Sequence, residues 1–174
     1  MSTIKYRFPL RESKRKRFLR DLLERFGFDV GRMFGDRPQI EVIGTFEDSE
    51  VFIVNGKPLL LRVGEDVIPT LVFDGLIGLL PKVIIDMGAI PHVCNGADIM
   101  APGIVRIEGE FKEGDYAVVL DERHGKAIAI VKALLDSERA KSLKHGKIFK
   151  NLHHVGDTYW RIIRELSGDE RVKT

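Results

Sequence analysis

Cysteine occurs once in this 174-residue chain, at Cys94, and tryptophan once, at Trp160. A lone cysteine excludes an intramolecular disulfide and a zinc site built on paired Cys-x-x-Cys motifs, and it suits a reducing compartment. Long apolar runs are also missing. The longest, Gly75 to Pro81, falls far short of the ~20 residues that cross a bilayer, so no transmembrane helix and no membrane partner are expected. The first seventeen residues are dense in charge and hold no apolar segment of the signal-peptide kind, which points to the cytoplasm. Asparagine appears three times and glutamine once, amid many Lys, Arg and Glu. Few thermolabile residues among many charges is a thermophile pattern.

What is present suits a folded chain: 44% of residues are hydrophobic and 31% charged, enough core for one large domain or two small ones. The net charge is only +2, but it is unevenly spread. Residues 1–25 hold nine Lys/Arg against three Asp/Glu, and residues 26–81 hold four against nine. The basic start suits nucleic acid, anionic lipid or an acidic protein, or is simply a solvated helix face.

Arg11 to Gly27 reads as an amphipathic helix, with Phe18, Leu19, Leu22, Leu23 and Phe26 in one stripe and Gly27 as its stop. Strand signals follow: Ile40, Val42 and Thr45, then Val51 to Val54, then Leu59 to Val63. Asn55-Gly56 between the last two is a strong hairpin signal, because a type I′ turn needs positive φ twice. Ile68 to Phe73 adds another strand. The expected first domain is one or two helices on a small antiparallel sheet, and it holds no motif for chemistry.

Pro81 marks a boundary. Val83-Ile84-Ile85 begins a new rhythm, with a turn at Asp86 to Ala89 and a short helix to about Cys94 that tolerates Pro91 in its first turn. Asp98 to Met100, Ile104 to Ile107, Tyr116 to Leu120 and Ala127 to Ala133 are strand candidates. Ser137 to Lys144 is expected as helical turns, and Leu152 to Ile163 as a last strand and tail. Many short strands with regular turns predict a small β-barrel.

Asp86-Met87-Gly88-Ala89, then Asn95-Gly96-Ala97-Asp98-Ile99-Met100-Ala101-Pro102-Gly103-Ile104, then Phe111-Lys112-Glu113-Gly114-Asp115, together resemble the signature of a PUA domain over roughly residues 82–160. That family is named for pseudouridine synthases and archaeosine transglycosylases. Val54-Asn55-Gly56, Ile68-Pro69-Thr70-Leu71 and the ending from Asn151 to Trp160 resemble the malignant-T-cell-amplified-sequence family and archaeal stand-alone PUA proteins. Those carry a small pre-PUA domain ahead of the PUA domain. The resemblance implies an α+β chain: a pre-PUA α/β domain at 1–80, a PUA-type β-pseudobarrel at 81–160 and a C-terminal tail at 161–174. It implies a structured-RNA ligand, tRNA or small-subunit rRNA, and a non-catalytic role in translation with the ribosome or a translation-factor partner. The alternative is an accessory RNA-binding subunit of a tRNA or rRNA modification enzyme, such as an archaeosine-type transglycosylase. A third reading is a protein-interaction module whose acidic middle third meets a basic partner. DNA and cofactors are not expected.

The family's RNA surface maps here onto Gly88, Ala89, Gly96, Ala97, Asp98, Ile99 and Met100. Small residues let a phosphate backbone approach, and N–H groups at a helix start favour anions. Lys82, Lys132, Lys147, Lys150 and Arg161 border those segments and are expected to supply the cations that phosphate contacts need. Arg15, Lys16, Arg17 and Arg20 form a candidate second basic patch. Where the family's strand carries glycine this chain has Val131, a side chain expected to narrow the groove.

Other chemistry finds little support. Asp86 and Asp98 read as a helix cap and a turn staple rather than a catalytic pair. Cys94 and His92 lie two apart on a helix and so face different ways, and a buried structural cysteine is expected. His153 and His154 alternate on a strand, which disfavours a shared metal. Tyr159 and Trp160 fit packing better than base stacking. No phosphate-binding or dinucleotide-binding glycine motif is present.

Overall fold

The computed structural model describes residues 4–45 and 47–167. The chain forms two compact units. One holds the described residues through Leu76 together with those from Ile162 onward, and the other holds Ile77–Arg161. The first boundary falls four residues before the expected 80/81. The start of the expected tail belongs to a helix, while residues 168–174 lie outside the described part.

The elements, in chain order, begin with β1 (Ile4–Pro9), α1 (Glu12–Phe26), β2 (Ile40–Thr45), β3 (Glu50–Val54), β4 (Lys57–Val63), β5 (Asp66–Pro69) and α2 (Asp74–Ile77). The five strands pair antiparallel in the order β1-β2-β3-β4-β5. The β3–β4 turn takes φ of 50° at Asn55 and 85° at Gly56, the I′ geometry that the sequence calls for. The Asn55 side chain anchors that turn: Oδ1 accepts from Gln39 N (3.0 Å) and Nδ2 donates to Phe34 O (2.9 Å). Helix α1 lies on one sheet face. Its Phe18 ring stacks on Phe52 of β3, centroids 4.3 Å apart, and Leu22 is wholly buried. The stripe is core except at Leu23, which stays exposed. A 3-10 turn, Val30–Phe34, packs beside α1. Strand β1 escapes sequence reading because five of its six residues are exposed, so no buried face betrays it. Of the strand expected over Ile68 to Phe73, only the first two residues belong to β5; a turn and α2 follow.

The second unit continues with β6 (Lys82–Ile85), α3 (Ile90–Val93), β7 (Ile99–Met100), β8 (Ile104–Glu108), β9 (Tyr116–Asp121), β10 (Ala127–Ala133), α4 (Ser137–Ser142), β11 (Lys147–His154) and α5 (Thr158–Leu166). Its sheet runs β7-β11-β10-β9-β6-β8, with β6 and β9 parallel and the other pairs antiparallel. Val83, Ile85, Ile99, Val119, Val131, Ile148 and Phe149 fill it. The chain is thus α+β, as the sequence predicts. The register slips by one residue where β10 meets β11, between Ile130 and Val131, a bulge of the kind that re-aims side chains.

Two expectations need correction. Leu152 to Ile163 is not a strand and tail: β11 starts at Lys147 and ends at His154, and a helix begins at Thr158. The reason is local. Asp157 Oδ1 accepts from Trp160 N (2.7 Å), an N-cap that turns the chain into α5, and Ile162 and Ile163 bury one side of it. Cys94 is half-buried rather than buried.

Candidate nucleic-acid interface

Strand β11 organises the surface that the sequence singles out. Its edge partner β7 sets Met100 opposite Lys147 and Ile99 opposite Phe149. The turn after α3 is laced to the same strand by Asn151. Asn151 Nδ2 donates to Val93 O (3.1 Å) and Ala97 O (3.0 Å), while Asn151 N donates to Asp98 Oδ1 (2.8 Å). The second oxygen of Asp98 meets Lys147 Nζ at 2.8 Å. Burial alone would raise the Asp98 carboxyl. The bonds from Lys147 and Asn151 and the nearby charges of Lys147 and Lys150 outweigh it, so the group is held below its ordinary value and stays ionised. Asp98 therefore braces a strand and a lysine rather than a turn.

Gly96 takes φ of 93°, a conformation open to glycine, and a side chain there would point at His154 Nε2, 3.6 Å away. His154 Nδ1 donates to Val155 O (2.9 Å), which leaves Nε2 on the Gly96 side as an acceptor in the neutral ring. Gly146, just before β11, also has positive φ, and nothing lies within 4 Å of where its side chain would be. Lys150 stands directly opposite Lys132 on β10, and Lys150 is exposed. Gly96, Ala97, Asp98, Met100, Lys147, Lys150 and Lys132 thus gather along β11. His154, Asn151 and Gly146 join them unforeseen. Histidine and asparagine within a strand give no periodic signal, and nothing in the sequence pattern singles out Gly146.

Other residues fall elsewhere. The Ile99 side chain is buried in the core and offers no surface. Val131 is likewise wholly buried, so it fills the barrel rather than narrowing a groove. Around Gly88 the N–H groups of its neighbours Met87 and Ala89 are engaged by the protein's own carboxylates. Ala89 N donates to Asp86 Oδ1 (2.8 Å) and Met87 N to Glu122 Oε1 (3.2 Å). Lys82 sits at the far end of β6 from Asp86, with Nζ donating to Gly78 O and Leu80 O. Arg161 is exposed on α5. Within the second patch, Lys16, Arg17 and Arg20 lie within about 100° of one another on the exposed side of α1, with Lys16 paired to Glu12 (3.3 Å), while half-buried Arg15 falls on the side of the apolar stripe.

Cys94, His153 and Asp157 have structural surroundings. Burial pushes the Cys94 thiol up, against a weaker opposing pull from Lys126, which keeps it protonated and a poor nucleophile. His153 is wholly buried, and its Nδ1 donates to Asp157 Oδ2 (2.9 Å). Asp157 also accepts from His154 N. Burial raises the Asp157 carboxyl, but the His153 contact and the backbone donors of His154 and Trp160 prevail and lower it. Among the described residues no group of three His, Cys, Asp or Glu is arranged to hold a metal ion.

The PUA-domain family model matches residues 81–155. An uncharacterized protein of Methanocaldococcus jannaschii is 37% identical over 160 residues, covering 90% of this chain and 96% of that protein. Translation machinery-associated protein 20 of Eremothecium gossypii is 30% identical over 138 residues, covering 75% and 76%. The crystal structure of a hypothetical protein from hyperthermophilic Pyrococcus horikoshii OT3 superposes with a TM-score of 0.76 at 31% identity, covering 91% of this chain and 99% of that one. Matches of this extent run through both units, and the chain belongs to the family of PUA-domain proteins that includes translation machinery-associated protein 20.

Proposed function

We propose that this chain is a non-catalytic, translation-associated protein of the cytoplasm that binds structured RNA, tRNA or small-subunit rRNA, along β11. The observation that carries this reading is the company Lys147 and Lys150 keep. Two exposed cations stand beside Gly96, Ala97 and Gly146, where no side chain bars a phosphate backbone. Lys147 has three donors and gives one to Asp98, so its ammonium is held in place with capacity left for phosphate. His154 Nε2 adds an acceptor suited to a 2′-hydroxyl, the group that separates RNA from DNA. Lys132 lies next to Lys150 and extends the basic strip. Gly88, Ala89, Lys82 and Arg161 contribute less, because their donors are engaged or lie off this strip. The similarity to a protein named for the translation machinery supports the cellular setting.

The test is crosslinking to RNA in native lysate and sequencing of what is bound. Enrichment of tRNA acceptor ends or of one small-subunit rRNA segment is expected. Recovery no better than that of a neutral control protein overturns the reading.

A further inference from the structure

The first unit carries a surface that the β11 reading does not use. Tyr6 and Phe8 of β1 are 40% and 41% exposed, yet their rings stack on each other, centroids 5.5 Å apart and 25° from parallel. Phe8 stands opposite Val42, and Val42 opposite Phe52, so all three share the sheet face on which Phe18 of α1 rests. Tyr6 stands opposite Gly44 and lies over it; a Cβ at Gly44 would fall 2.0 Å from the ring. The glycine therefore seats the tyrosine. Beyond Gly44, the Glu50 carboxylate is shared between Tyr6 OH (3.4 Å) and Arg62 Nε (3.1 Å), so its charge is already answered by a cation.

The neighbour of this ring pair is basic. Leu19 is the α1 residue that touches Gly31 of the 3-10 turn. That turn belongs to the β3–β5 side of the sheet, through Phe34 against Phe73 and Asn55 bonding Phe34 O. At about 100° per residue, Lys14 and Arg17 lie roughly 140–160° round the helix from Leu19. They face the β1 side, and both are exposed and without an ion pair among the described residues. Two strand spacings, ~10 Å, separate β1 from the strand under Phe18. The result is a shallow trough with an aromatic floor and a cationic wall, in a stretch that carries nine Lys/Arg against three Asp/Glu over residues 1–25.

We propose that β1 and the adjoining flank of α1 form a second site, for unpaired RNA nucleotides, in which Tyr6 and Phe8 stack on two successive bases while Lys14 and Arg17 hold the phosphates. Every base has a π-face, so such a platform is tolerant of sequence, and charge complementarity favours a polyanion over an acid-poor protein surface. The site lies wholly within the first unit and takes unpaired strand, so it goes beyond the β11 reading.

The test is fluorescence anisotropy of the full chain with a labelled, unstructured oligouridylate of about twelve nucleotides, in parallel with an RNA hairpin. Alanine substitution at a stacking residue weakens binding by roughly five- to hundredfold per base. Tyr6→Leu/Phe8→Leu is expected to weaken the oligouridylate tenfold or more. Lys14→Glu/Arg17→Glu, on an exposed helix flank where folding is not at stake, is expected to do the same. Lys147→Glu/Lys150→Glu is expected to weaken the hairpin and leave the oligouridylate within twofold. Oligouridylate binding that survives the aromatic and the charge-reversed variants overturns the inference while leaving the β11 reading intact. An intact chain that ignores the oligouridylate also overturns it, and marks the ring pair as a protein-docking face. Loss of hairpin binding from the parent chain would instead count against the β11 reading alone.

Discussion

Asn151 carries more of the interface than its size suggests. It pins the turn after α3 to β11 through two side-chain donors and one backbone donor, while its own Oδ1 is buried without a donor among the described residues. Asn151→Ala removes the two side-chain bonds, each worth about 1 kcal/mol. A loss of about 2 kcal/mol in chemical denaturation is expected, with Gly96 and Ala97 exchanging amide protons faster. A loss below about 0.5 kcal/mol would contradict the role. Asp157 gives a pH signature. Its carboxyl is lowered in the folded chain, so the stability it contributes is present above its unfolded value of about 4 and is lost as pH falls through the lower folded value. Acid denaturation monitored by circular dichroism is expected to begin below about pH 4 and to be less steep in Asp157→Asn. An identical acid limb in that variant would show the carboxylate to be idle.

Among the elements, legibility followed the presence of a buried stripe. Helix α1 and the Asn55-Gly56 hairpin were readable, because Phe18 and Leu22 repeat at helical spacing and the turn needs two positive φ angles. Strand β1 was not, since Lys5-Tyr6-Arg7-Phe8 is solvent-facing on both sides. Helix α5 was missed because Ile162 and Ile163 read as strand residues until Asp157 is recognised as a cap. The site was half legible. The resemblance points to Gly96 and Asp98, and the need for cations beside them to Lys147, but burial of Ile99 and Val131 and the engaged amides at Met87 and Ala89 depend on contacts between distant segments. For β1, Gly44→Ala drives a Cβ into the Tyr6 ring. Overpacking of this kind costs about 1–3 kcal/mol. That loss is expected in thermal melts, with Tyr6→Ala restoring most of it in the double variant; a neutral Gly44→Ala would place the ring elsewhere.

For the whole molecule, composition predicts heat resistance: three asparagines, one glutamine and one cysteine among 31% charged residues. A melting temperature above roughly 60 °C is expected by calorimetry, at or above the top of the ordinary mesophile range. The central claim is electrostatic and local, that a net charge of only +2 conceals a basic strip along β11. Each phosphate contact made steepens the salt dependence of binding by about one in log–log slope. The most direct measurement is therefore the salt slope of hairpin-RNA binding by the intact chain and by Lys147→Gln/Lys150→Gln. The account predicts a slope shallower by roughly two in the variant, with at least tenfold weaker binding at low salt. An unchanged slope and affinity in a folded variant would contradict it.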